Sequence, residues 1–179
     1  MSVSTFGVGD RRFGLCSTLI AAIIAAMRAV SAVQIFPGSV HEAEMVWYDA
    51  AGWPSWVDGL DRVTEVDPRW PQLGASVIWE SGPAGRGRVV ERVVAHEPLS
   101  GQTVEVQDDS IRGRQSVAFA PAGEAVEVAL TLEYEIKHRS LLTPLVDVLF
   151  IRRAFRASLD ATLRRFGLEL DAARGADVG

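Results

Sequence analysis

Past residue 28 the spacing of apolar positions changes twice along the chain. The stretch 29–36, AVSAVQIF, reads as a strand ended by Pro37-Gly38. A helix is expected over 39–48, because Ser39 and Glu42 stand at capping-box spacing and Val40, Val46 and Trp47 can share a buried side. Residues 49–52 break it, and Trp53-Pro54-Ser55-Trp56 opens a second, short helix with proline tolerated in its first turn. From Leu60 the period becomes two. Strands are predicted at 60–66, 74–80, 87–97, 102–107, 111–120 and 125–138, each bounded by Gly, Pro, Asp or Ser turns. The short turns favour antiparallel pairing. Alternation is clearest in the last strand, where Val126, Val128, Leu130, Leu132, Tyr134, Ile136 and His138 face one way and charged residues the other. Thr143-Pro144 then starts a helix over 145–170, with Val148, Ile151, Phe155, Leu159, Leu163, Phe166 and Leu170 at three- and four-residue intervals. At about 1.5 Å per residue it spans roughly 39 Å, enough to cross a whole sheet. The pattern therefore predicts one α+β domain: an antiparallel sheet covered on one face, followed by a long last helix able to cross it.

The N-terminus does not fit this scheme. Residues 13–27, FGLCSTLIAAIIAAM, carry no charge and are flanked by Arg11, Arg12 and Arg28. Three readings compete: a signal peptide with a small-residue cleavage site at 30–32, a membrane anchor shorter than the ~20 residues of a spanning helix, or an upstream translation ahead of a start at Met27. Residues 1–27 are thus set apart as an extension, 28–173 as the domain and 174–179 as a disordered tail.

Composition narrows the function classes. The 179 residues suit one domain, and a net charge of -5 gives no general pull toward nucleic acid. Cys16 is the single cysteine and the three histidines are scattered, so neither a disulfide nor a metal site is expected, and no cofactor is implied. A cytoplasmic location is expected, with membrane anchoring or export as the alternative if residues 1–32 are a true leader or anchor.

Candidate chemistry sits on the predicted inner faces. Trp53, Trp56 and Trp79 are cavity-wall candidates, against ordinary core packing. Tyr134 and His138 share one face of the last strand and could orient a carbonyl and move a proton, although no positioning partner for the histidine is readable. Glu91 and Arg92 point to opposite faces of one strand, so one of them turns inward and needs a partner. Gln115 joins Val117 and Phe119 on an inner face, and Phe155 and Leu159 face the cavity from the helix. Asp108-Asp109 reads as a solvated turn. The stretch 82–88, GPAGRGR, lacks the Lys-Ser/Thr of a phosphate loop. Arg152, Arg153, Arg156, Arg164 and Arg165 read as a solvated helix face, with an anionic membrane as the alternative.

This order of elements resembles the START-like, or SRPBCC, superfamily and within it the polyketide cyclase/dehydrase group. The resemblance rests on strand one followed by two short helices, Trp53-Pro54-Ser55-Trp56 with Gly59, the Gly85-Arg86-Gly87-Arg88 turn, Glu97-Pro98 and the 145–170 helix. It implies a helix-grip fold with seven strands and a ligand cavity between sheet and helix. The expectation that follows is a carrier or sensor of a hydrophobic lipid, polyketide or aromatic molecule. A cyclase or dehydratase, and a membrane- or protein-interaction module, stand as alternatives. The resemblance carries no catalytic motif onto this chain, and the oligomeric state is left open.

Overall fold

The computed structural model describes residues 29–82, 85–137 and 145–176, with side chains in the last stretch from Phe150 onward. The apolar run at 13–27, His138, the Thr143-Pro144 helix start and the side chain of Val148 lie outside the described residues. The order is β1 (Ala29–Pro37), α1 (Val40–Tyr48), α2 (Trp53–Trp56), β2 (Leu60–Val66), β3 (Ser76–Ser81), β4 (Arg88–Glu97), β5 (Gly101–Gln107), β6 (Ile111–Ala122), β7 (Ala125–Ile136) and α3 (Leu145–Ala176). The seven strands form one antiparallel sheet in the order β1-β7-β6-β5-β4-β3-β2. With the long terminal helix on its inner face this is the helix-grip fold.

Local chemistry explains the elements. Ser39 caps α1 through a complete capping box: its hydroxyl accepts from Glu42 N–H at 3.2 Å, and Glu42 Oε2 accepts from Ser39 N–H at 2.6 Å. Those hydrogen bonds, with the Arg174 charge nearby, hold the Glu42 carboxyl below the usual carboxylate range. Arg174 Nε lies 3.4 Å from Glu42, tying the end of α3 to the start of α1. The helix accordingly continues to Ala176, past the position 174 where a disordered tail was expected.

Leu159, Leu163, Phe166 and Leu170 form the buried stripe of α3. Phe166 meets Phe36 of β1 edge-on at 5.6 Å, Trp47 of α1 at 5.4 Å and Trp56 of α2 at 5.3 Å. One phenyl ring thus joins strand one, both short helices and the long helix, with aromatic contacts worth about 0.5–1.5 kcal/mol each beyond their buried area.

The pairing of β6 with β7 depends on a glycine. A Cβ on Gly113 would lie 2.1 Å from the backbone oxygen of Glu133, so β6 and β7 approach there more closely than any side chain allows. Gly113→Ala is expected to cost about 1–3 kcal/mol in chemical denaturation. An unchanged midpoint would show that the two strands separate freely.

Candidate functional site

The cavity lies between α2, the middle of α3 and the inner faces of β3 to β7. Its floor is buried and mainly apolar: Trp47, Trp53, Trp56, Trp79, Val104, Val117, Leu130, Leu132 and Leu159. Half-buried Val57, Asp58, Arg86, Phe155 and Ser158 complete the wall and form its mouth. The cavity volume is about 60 Å³, room for roughly four waters at ~15 Å³ apiece. On the mouth side, Thr162 Oγ1 accepts from Asp58 N–H at 3.0 Å, and Arg165 pairs with Asp58 at 3.2 Å. These contacts fix the loop after α2 to the long helix.

The polar end of the cavity is built from β3, β4 and two neighbouring turns. In β4, Val89, Glu91 and Val93 are buried while Arg92 is exposed, which settles the strand's inner face. Glu91 stands opposite Val77 of β3 and Val106 of β5. The Trp79 indole N–H donates to Glu91 Oε1 at 3.0 Å. Burial pushes the Glu91 carboxyl above the usual carboxylate range, against the opposing pull of the Trp79 N–H and the Arg86 charge. The shift favours a neutral acid inside the cavity, able to donate as well as accept a hydrogen bond.

Arg86 stands over Trp79, its guanidinium carbon 5.6 Å from the ring centroid. Its Nε donates to Asp108 Oδ2 at 2.6 Å. Asp108 is buried, and its other carboxylate oxygen accepts from Ser110 N–H at 2.7 Å and Ile111 N–H at 2.8 Å. The expectation of a solvated turn at Asp108 is therefore corrected. The turns before β4 and after β5 meet at one end of the sheet, and the aspartate caps its own turn while holding the arginine.

Seven of the sequence candidates line this cavity: Trp53, Trp56, Trp79, Glu91, Gln115, Phe155 and Leu159. Phe119 is buried apart from it, edge-on to Trp47 at 6.1 Å. Tyr134 is buried behind Phe155, with ring centroids 4.6 Å apart. Neither is among the lining residues. Trp53 and Trp56 serve the core as well as the wall; the Trp53 indole N–H donates to Trp47 O at 2.8 Å.

Arg86, Gln102, Asp58 and Thr162 also line the cavity and were not anticipated. Gln102 is buried, its amide donating to Pro71 O at 3.0 Å. A signal for Arg86 was present: in an antiparallel meander the β3–β4 and β5–β6 turns fall at the same end, which places an Arg-bearing turn beside Asp108. Between Val93 and Ala95 a register shift in the β4–β5 pairing reverses the side-chain parity. Ala95, two residues beyond buried Val93, is exposed for that reason. His96 instead meets the Tyr48 ring edge-on at 5.3 Å. Burial, and behind it the Glu44 charge, raise the Tyr48 hydroxyl well above its ordinary range. Among the described residues no group of three or more His, Cys, Asp or Glu is placed to hold a metal, and no helix is long and apolar enough to cross a membrane.

Solved structures share this architecture. A START superfamily protein from Mycobacterium smegmatis superposes with a TM-score of 0.66 at 12% identity, over 81% of this chain and 98% of that one. The di-domain aromatase/cyclase StfQ of the steffimycin biosynthetic pathway gives 0.66 at 16% identity, over 94% of this chain and 63% of that one. A point mutant of norcoclaurine synthase from Thalictrum flavum, in complex with a transition-state analogue, gives 0.60 at 10% identity, over 82% and 95%. At these identities the likeness shows the fold alone. No curated protein matches the chain significantly. The family model described as polyketide cyclase / dehydrase and lipid transport matches residues 27–170, from just before β1 to the last buried turn of α3, and the chain belongs to that family.

Proposed function

We propose that the protein binds a hydrophobic small molecule of the lipid, polyketide or aromatic class between the sheet and α3, as a carrier or sensor. The observation that carries this reading is the cavity itself: a floor of tryptophan, valine and leucine side chains with polar groups, Arg86, Glu91, Gln102 and Gln115 among them, set into its wall, the composition of a small-molecule site. At about 60 Å³ the cavity is smaller than the ~300 Å³ and upward of a typical ligand pocket. A ligand of this class therefore enters by displacing the half-buried side chain of Phe155 at the mouth. The family description, which names both cyclases and lipid transport, supports the same chemistry.

A second reading, a cyclase or dehydratase, draws on one observation. Glu91 is a buried acid whose environment favours the protonated form, as a proton donor to a substrate carbonyl requires.

One experiment addresses both. Native mass spectrometry of the protein isolated from its own host, followed by extraction, is expected to show a discrete apolar adduct. A single compound recovered unchanged supports the carrier. A pair differing by the elements of water supports the enzyme. A clean apo mass, together with no fluorescence gain from Nile red, would overturn the cavity reading.

A further inference from the structure

Arg86 is held on one side and left open on another. Asp108 fixes its Nε at 2.6 Å, and the Trp79 ring lies beneath the guanidinium carbon at 5.6 Å. Its Nη2 is buried yet has no hydrogen-bond partner, and the residue lines the cavity. A buried guanidinium N–H without an acceptor is costly, and a structure that keeps one has a donor ready for something that arrives later. Asp108 is in turn held by two backbone N–H groups, so the guanidinium is fixed before any ligand binds.

We propose that Arg86 anchors the ligand by its head group: the occupant is an otherwise apolar molecule carrying a carboxylate, which accepts from Arg86 Nη2 while its apolar body lies on the tryptophan-lined floor. This rests on the cavity reading above and names the ligand class within it. Guanidinium suits the role because its N–H fork matches a carboxylate in geometry as well as charge. The neighbouring acid does not compete. Burial raises the Glu91 carboxyl above its ordinary range, which lessens the repulsion it presents to an incoming anion. Since Asp108 already balances the Arg86 charge, selectivity comes from the open donor at contact range and not from long-range attraction.

The test uses the full chain with two probes of equal length, octanoate and octan-1-ol, followed by tryptophan fluorescence at neutral pH. Octanoate is expected to bind about tenfold tighter or better, the worth of a hydrogen bond to a charged group. Arg86→Gln is expected to abolish that preference, and Arg112→Gln, on an exposed strand face, to leave the binding of both probes unchanged. Because the Arg86 variant also strips buried Asp108 of its partner, a second readout needs no substitution: carbon-13 NMR of carboxyl-labelled octanoate on the wild-type protein. Anchoring by Arg86 lowers the bound acid's pKa below that of free octanoate; burial in an apolar cavity without the anchor raises it. Octanol binding with weaker octanoate, a raised bound pKa, or a preference unaltered in a folded Arg86→Gln would each overturn the anchor and leave the cavity reading standing. Binding of neither probe would overturn both.

Discussion

Trp56→Ala is expected to lose about 3–5 kcal/mol of stability, the range for deleting a large buried aromatic side chain. Trp56 is 2% exposed and packs against Trp47 at 5.0 Å and Phe166 at 5.3 Å. Its removal takes away the ring that seats α2 on both other helices. The space left opens directly onto the cavity whose wall Trp56 forms, so neighbouring side chains cannot refill it without giving up their own contacts. For a chain of this length the melting temperature should fall by about 6–20 °C. Chemical denaturation with an unchanged m-value would assign the loss to the folded state. A loss below about 1 kcal/mol would mean that α2 is a lid resting on the protein and not part of its core.

Glu91→Gln should act in the opposite direction near neutral pH. Burial places the folded-state pKa of Glu91 above its unfolded value, so the folded protein holds this proton more tightly than the unfolded chain. The sign follows: the contribution to stability is fully present below the unfolded pKa and is lost as pH rises through the folded one. Glutamine keeps the carbonyl that accepts from Trp79 and cannot ionise. The variant is expected to match the wild type at acid pH and to exceed it increasingly toward pH 8, by about 1–3 kcal/mol, the cost of a buried polar group imperfectly compensated. Glu42 and Asp67, whose carboxyls lie below their ordinary range because of hydrogen bonds from Ser39 and Arg69, act oppositely and lose their contribution as pH falls. The difference between variant and wild type cancels them. A difference that stays constant from pH 4 to 8 would show that Glu91 does not change its protonation on folding.

Much of the fold was legible because the features that carried it are short-range. A capping box is spelled by two residues three apart, and the structure forms it at Ser39 and Glu42. Alternation along β7 placed Val126, Val128, Leu130, Leu132 and Tyr134 on the buried face, where they lie. The heptad-like spacing of Leu159, Leu163, Phe166 and Leu170 became the buried stripe of the last helix. Errors began where one strand's parity depends on its neighbour. Nothing in RVVERVVAHE itself decides between Glu91 and Arg92, because apolar residues accompany both. The irregularity between Val93 and Ala95 belongs to the pairing with β5 and not to β4 alone.

The candidate site divides along the same line. Its apolar wall could be named from the sequence, since large side chains on inner faces have few other places to go. The charged end could not. Asp108 and Arg86 are 22 positions apart, each in a turn that by composition alone belongs in water. Only the alignment of two hairpins brings them together, buries the aspartate and leaves one guanidinium nitrogen without a partner. The sequence by itself determined the elements, their order and the apolar faces, because backbone preference and burial period act over a few residues. The tertiary structure decided which polar group turns inward, which charge is paired and which donor stays open, because those depend on strand register and on groups that meet only when the sheet has curled around its helix.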